Sequence, residues 1–336
     1  MEELLRLINR EYGITVTAVK PVNSIWRLDT LNKSYLLKRV RSSPQRITQL
    51  AALILQLQKA GFQGLTPVLL TKTGSACLKT AAGNYLISPW IEGEKPAFNS
   101  RSRLKLVAAC FGKLHSISKG LSFPPEMTAP DLLDDYQKKQ LYLESLPSKL
   151  TELKTGNRID RAISGWSAYF TAQSRFCLDQ LLLRRDELLL LNKEKGFCHN
   201  DPAPGNIIIR NGNCYLIDYE FANCDLLIKE FACLLGRALQ ANQWEPEIVD
   251  LVSAAYESER PFSAAELKIL PYLLCFPRRF WRICIQRYQE QLDWTEKRFQ
   301  HRLWEIVHEE QARMRFLKTW LPELETYARP EFGGAG

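Results

Sequence analysis

Residues Cys198–Asn223 read CHNDPAPGNIIIRNGNCYLIDYEFAN. Ile207-Ile208-Ile209 is a short run of β-branched residues, suited to a buried strand. Asn211-Gly212 is a two-residue turn signal, and Tyr215-Leu216-Ile217 supplies a returning strand. Pro202, Pro204 and Gly205 rule out a helix between Asp201 and Asn206. The resulting hairpin predicts that Asn206, just before its first strand, lies close to Asp218, just after its second.

Polar residues on this hairpin are spaced as phosphoryl transfer requires. The pattern is His199-x-Asp201-x4-Asn206, then Asp218 and Glu220. An Asp orients or deprotonates an attacking hydroxyl, and an Asn further along the same loop reaches a metal. A second Asp at a strand end binds the metal ions that bridge nucleotide phosphates. Taken singly, Asp201 would read as a turn residue and Asp218 as a cap. Their joint placement on one hairpin is far more specific.

The chain has 336 residues and 46% hydrophobic content, enough for two lobes with separate cores. No apolar run is long enough to span a bilayer, so no membrane association is expected. The opening MEELLRLINREYG reads as a charged amphipathic helix rather than a signal peptide. Nine scattered cysteines contain no C-x-x-C pair. They read as reduced core thiols in a cytoplasmic setting. Cys198 and Cys214 flank the candidate site in apolar context and read as packing residues. The net charge is +8, and residues 1–95 carry 13 Lys and Arg against 6 Asp and Glu. That face suits an anionic partner or serves solubility alone.

Upstream of the hairpin, residues 2–12 fit a helix. Strands are expected at Ile14–Val19, within Asn23–Thr30, and at Ser34–Val40. Lys38, on the third of these, stands where a strand lysine pairs the α and β phosphates of a nucleotide. A helix over Pro44–Ala60 follows, with Pro in its first turn and Gly61 beyond its end. Further strands are expected at Thr66–Leu70 and Asn84–Ser88. The next piece, Pro89–Gly93, reads as a hinge. The backbone of Ser88 and Trp90 is a candidate adenine reader, with plain core packing the alternative for Trp90.

Arg101–Ser118 reads as a helix, with His115 near its end as a structural residue. Residues 119–130 form a linker. Helices are expected over 131–150, 158–191, 225–240, 242–257, 264–274, 278–291 and 296–317. The leucine stripe DQLLLRRDELLLL reads as packing rather than a zipper, for it lacks sustained heptads. FPRRFWRICIQRY (Phe276–Tyr288) interleaves Arg with aromatics. At helical spacing this is an amphipathic helix with its aromatics in the core. No helix-turn-helix, zinc-finger or RNA-recognition motif is present, so nucleic-acid binding is not expected. No P-loop, Gly-x-Ser-x-Gly or HExxH motif occurs.

The assembled stretches resemble the aminoglycoside phosphotransferase and choline kinase superfamily. Within it, the chain is most similar to the CotS-type spore coat family of endospore-forming bacteria. The resemblance rests on YLLKRV, PWIEGE, GKLHSISKG, HNDPAPGNIII, YLIDYE, IKEFACLLGRAL and LLCFPRRFWRICIQRY, and spans about residues 5–320. It implies an α+β, bilobal, protein kinase-like fold with a small antiparallel-sheet N-lobe and a mostly helical C-lobe. The implied boundaries are 1–88 for the first lobe, 89–95 for the hinge and 96–328 for the helical lobe with the catalytic hairpin 196–220. A tail at 329–336 is expected to be disordered.

By the same resemblance, Asp201 is the catalytic base, and Asn206 and Asp218 are Mg2+ ligands. Lys38 binds phosphate, and Ser88 and Trp90 mark the adenine hinge. Glu220 assists metal or substrate, His199 organises the loop, and Glu230 stands where the family commonly has a helix Asp. Asn200 replaces a usual Gly, which its tolerance of unusual dihedrals allows. The implied cofactors are ATP and Mg2+, with a hydroxyl of an unidentified small molecule or coat component as acceptor. Other spore coat proteins are candidate partners, and the spore coat a candidate location. Two departures favour an alternative, a structural coat protein on a kinase-like scaffold. The helix over 44–60 has no acidic residue to fix Lys38, with Gln45 and Gln49 the nearest substitutes. The turn PVNSIW has no glycine to cover phosphates.

Overall fold

The first turn of the sheet is set by Asn23-Ser24. Asn23 takes a left-handed φ of 53°, which Asn tolerates, and joins β1 (Ala18–Val22) to β2 (Ile25–Asp29) in two residues. β3 (Ser34–Val40) returns antiparallel to β2. With β4 (Leu78–Thr80) and β5 (Gly83–Pro89) the order is β1-β2-β3-β5-β4. The computed structural model describes residues 1–152 and 157–324. The expected disordered tail, 329–336, lies outside them.

Two expected strands differ. Ile14–Val19 was expected to pair, yet the ladder runs from Ala18, opposite Asp29, to Val22. Ile14 is buried instead, in the core with Ile8, Leu28, Leu37, Leu78, Tyr85 and Ile87. Burial, not pairing, explains its apolar character. Thr66–Leu70 forms no strand either. Pro67 lacks a donor, and the segment keeps one bond to β5, from Leu69 N to Ile87 O at 2.8 Å.

Helix α1 (Glu2–Tyr12) ends at Gly13, whose φ of 72° makes a left-handed cap. Helix α2 (Pro44–Lys59) starts on Ser43, whose side chain accepts from Arg46 N. It buries Ile47, Leu50, Leu53, Ile54 and Leu57, one apolar stripe at helical spacing.

The remaining elements are α3 (Arg101–Ser118), α4 (Leu132–Glu152), α5 (Arg158–Leu182) and α6 (Arg185–Asn192). Short strands follow: β6 (Gly196–Cys198), β7 (Ile207–Arg210), β8 (Asn213–Leu216) and β9 (Asn223–Asp225). Then come α7 (Leu227–Ala241), α8 (Glu247–Glu257), α9 (Ala264–Cys275), α10 (Arg278–Tyr288) and α11 (Glu296–Trp320). α8 starts later than expected, because Gln243 and Trp244 both take positive φ and break the helical run.

Contacts gather the chain into two compact units. One holds residues 1–129, 195–230 and 251–261, and the other 130–194, 231–250 and 262 onward. The hairpin thus groups with the five-stranded sheet. In the second unit, Phe280 stacks on Phe170 at 4.3 Å, among Leu143, Leu146, Ile163 and Ile283. The FPRRFWRICIQRY run is therefore core, as its helical spacing indicated. The leucine stripe is only partly packing. A break at Leu183-Arg184 separates α5 from α6. Leu181, Leu188 and Leu191 are buried, while Leu182, Leu183, Leu189 and Leu190 are exposed.

Candidate active site

β7 and β8 form the hairpin that Asn211-Gly212 encodes, with φ of 50° and 74° at the turn, both positive as a type I′ turn requires. Beyond the ladder, Ile217 N donates to Asn206 O at 2.9 Å. Asn206 is thereby placed next to the residue before Asp218. The hairpin is tied to the sheet-bearing chain by Leu216 N to Gly64 O at 2.7 Å and Glu94 N to Ile209 O at 2.9 Å. Tyr219, buried, donates its hydroxyl to Thr66 O at 2.9 Å. Gly93 must be glycine here. A Cβ would stand 2.5 Å from Ile209 O and from Ile208 Cγ2.

The loop 199–206 is fixed from below by Glu230, in the first turn of α7. Glu230 Oε2 accepts from His199 N at 2.9 Å, and Oε1 accepts from Asn200 N at 2.5 Å. His115 Nε2 also lies 2.9 Å from Oε2, and its Nδ1 lies 2.7 Å from Tyr256 Oη. Donation from Nε2 to the carboxylate leaves Nδ1 to accept from the tyrosine hydroxyl. His115 is thus structural, as expected, but its structural work is to complete the Glu230 anchor. The ligand-type atoms of His115, Cys198 and Glu230 lie within 4.8 Å of one another. Of the three, His115 and Glu230 are hydrogen-bonded, while the Cys198 thiol donates to Leu226 O and is pushed up by burial, well away from thiolate.

His199, 1% exposed, stands behind the loop. Its Nε2 donates to Ile217 O at 2.8 Å, and its Nδ1 accepts from Asp201 N at 3.3 Å. Asn200 takes φ 65°, the unusual dihedral its identity allows. Asn206 Nδ2 donates to Asp201 Oδ2 at 2.7 Å and to Asp201 O at 3.2 Å. That orients the Asp201 carboxylate and turns Asn206 Oδ1 away from it. Asp218 also has positive φ, 63°.

Lys38 closes the arrangement. Its Nζ donates to Asp218 Oδ1 and Glu220 Oε2, each at 2.5 Å. Burial pulls the ammonium pKa down, but the two carboxylates outweigh it and hold it above the usual lysine range. Gln45 and Gln49 do not serve as its partners. Both amides donate to Glu126 instead. The side-chain oxygens of Asn206 and Asp218 are hard donors, chemistry that suits a hard divalent cation rather than a soft metal.

The backbone of the candidate adenine readers is partly committed to the sheet. Trp90 N donates to Ser34 O at 2.9 Å, extending the β3–β5 ladder. Ser34–Trp90 is thus a bonded pair, and in antiparallel alternation so is Leu36–Ser88. The amides of Trp90 and Ser88 are spent on β3 and are not free to read a base. Pro89, between them, turns its carbonyl to the opposite edge. The Trp90 ring carries the Arg27 guanidinium 5.3 Å from its centroid.

A model of the family described as "Phosphotransferase enzyme family" matches residues 22–267. The chain belongs to that family. It is also 24% identical over 326 residues to spore coat protein S of Bacillus subtilis (strain 168), covering 93% of this chain and 90% of that protein. An aminoglycoside phosphotransferase from Alicyclobacillus acidocaldarius superposes with a TM-score of 0.78 at 18% identity, covering 94% of this chain and 95% of that one. A spectinomycin phosphotransferase solved with ADP and spectinomycin gives 0.67 at 15%, covering 93% and 97%.

The α+β kinase-like fold expected from the sequence is the fold found, and the matched span of the phosphotransferase enzyme family contains Lys38, Asp201, Asn206, Asp218 and Glu220. Sequence reasoning missed Arg46. Its Nη2 donates to Ala222 O at 2.8 Å and Glu220 O at 3.3 Å. No local pattern signals a side chain that bonds backbone carbonyls this far along the chain.

Proposed function

We propose that the protein transfers the γ-phosphate of ATP to a hydroxyl group of a small molecule or a spore coat component. The observation that carries this is the Asn206 Nδ2 to Asp201 Oδ2 bond, held 2.7 Å long on a loop that His199 ties to Ile217, the residue before Asp218. Asp201 orients the acceptor hydroxyl and takes its proton. Asn206 Oδ1 and Asp218 would hold Mg2+, which would supply neutralisation of phosphate charge when bound. Lys38 pairs with phosphate oxygens. Adenine would be read by the backbone around Pro89, on the edge of β5 away from β3. Catalysis of this kind is positioning plus electrostatics. The loop's fixation by Glu230 and His199 supplies the positioning. The bound ADP of the spectinomycin phosphotransferase supports the nucleotide reading, and the similarity to spore coat protein S supports the coat as location, with other coat proteins as partners.

A second reading is a catalytically weak or inactive coat scaffold. It rests on the β1–β2 connection, a two-residue turn at Asn23-Ser24 with no loop to cover phosphates.

Thermal unfolding with and without Mg2+-ATP separates the two, on wild type and Asp218→Asn. Nucleotide at about a hundred times its Kd stabilises by roughly 2.7 kcal/mol. A metal-dependent rise in midpoint that Asp218→Asn abolishes supports transfer. No rise at millimolar nucleotide hands the lead to the scaffold.

A further inference from the structure

A strand lysine that grips phosphates must be held in place by an acid, since its four-carbon stem is flexible. Relatives of this fold place that acid on the helix after the strand. Here α2 runs from Pro44 to Lys59, and its only charged residues are Arg46 and Lys59. Gln45 and Gln49 bond Glu126. The ammonium of Lys38 instead meets Glu220 Oε2 at 2.5 Å. The two side chains are 16% and 18% exposed, against 41% for Asp218. Burial makes the Glu220 contact the drier and less screened of the lysine's two ion pairs.

Helix α2 contributes in another way. Arg46, in the first turn of the helix, donates from Nη2 to the carbonyls of Glu220 and Ala222. The guanidinium brackets the peptide that carries the Glu220 side chain. So α2 grips the segment by its backbone, with a cation, and the acid comes from the segment itself.

We propose that the anchor of Lys38 has moved from α2 to Glu220, and that Arg46 is the positioning residue on α2 that holds Glu220 in place. Glu220 then acts on the lysine rather than on a metal ion, leaving Asp218 for the metal. The dependence of nucleotide affinity on Glu220 rests on the phosphotransferase reading above. The Lys38–Glu220–Arg46 linkage does not.

The test has two arms. The first needs no nucleotide: a double-mutant cycle of Lys38→Met and Glu220→Gln, read by thermal unfolding. Non-additive midpoint changes support the anchor, and additive ones overturn it. The second arm measures Kd for ADP by calorimetry, once in EDTA and once with Mg2+. Glu220→Gln and Arg46→Ala are each expected to weaken ADP about tenfold in EDTA, the size of one lost charge-assisted bond. Arg46→Lys is expected to recover part of the Arg46→Ala loss. Should Arg46→Ala fail to fold, Arg46→Gln replaces it, since its amide retains a donor. A loss in Glu220→Gln that appears only with Mg2+ makes Glu220 a metal ligand and overturns the proposal. If wild type binds no nucleotide in either condition, the phosphotransferase reading fails, and the unfolding cycle still decides the anchor.

Discussion

His199 Nε2 donates to the carbonyl of Ile217 across 2.8 Å. That bond ties the loop bearing Asp201 to the residue before Asp218. His199→Leu leaves the part-buried Ile217 carbonyl and Asp201 amide without this partner, at about 1 kcal/mol for each. Denaturant unfolding is expected to show that loss. Phosphate transfer by the variant is expected to fall in kcat more than nucleotide KM rises. A fall confined to KM would mean that the link does not position the reacting groups.

Glu230 is 1% exposed and accepts from His199 N, Asn200 N and His115. Glu230→Ala strands these three donors together and is expected to destabilise by about 3 kcal/mol or more, at about 1 kcal/mol or more for each bond left unmade. Urea midpoints at constant m-value measure it. A variant within 1 kcal/mol of wild type would show that water replaces the carboxylate.

Gly93→Ala pushes a Cβ to within 2.5 Å of Ile209 O. Overpacking of this kind costs about 1–3 kcal/mol, and the shift of the Gly93 segment against the hairpin is expected to weaken nucleotide binding as well. Gly205→Ala is the control, for a Cβ there meets nothing within 4 Å. Equal effects of the two variants would remove the explanation.

Asp29 is held well below the usual carboxylate range by hydrogen bonds from Lys20, Arg27 and Ser34. A depressed carboxylate pKa contributes stability above the unfolded-state value, and that contribution is lost as pH falls through the folded-state value. Asp29→Asn is therefore expected to be less stable than wild type at pH 7. The gap is expected to start closing only below about pH 4. Unfolding curves from pH 7 into strong acid check this, and a gap that is constant with pH would discard it.

Burial pushes the thiols of Cys177, Cys198 and Cys284 up. Iodoacetamide at pH 8 is expected to leave all three unlabelled in the native protein and to label them on unfolding, as read by mass spectrometry. Native labelling of Cys198 would mean that the loop above it opens.

Local signals carried much of the reading. Asn211-Gly212 encodes its turn by backbone preference alone, Ser43-Pro44 starts α2, and Ser34–Val40 forms a strand within its expected bounds. What escaped was settled at long range. Ile14-Thr15-Val16 has strand composition but spends Ile14 on the core. The Trp90 amide looked free until β3 claimed it. The exposure of Leu182 and Leu183 follows from a helix break that no Gly or Pro announces. The partner of Lys38 was sought a few residues away on α2, and it stands 182 residues on.

That separation sets an order of events during synthesis. The five-stranded sheet is complete once Pro89 has been made, yet the carboxylates that meet its lysine belong to residues 218 and 220. At about 5–20 residues per second, the nascent sheet waits on the order of ten seconds for them. The unit that contains it is finished only with residue 261. A chain released before residue 218 carries the sheet and its lysine without either carboxylate, so a premature stop in the first two-thirds of the message leaves Lys38 without both of the ion-pair partners it has in the finished fold.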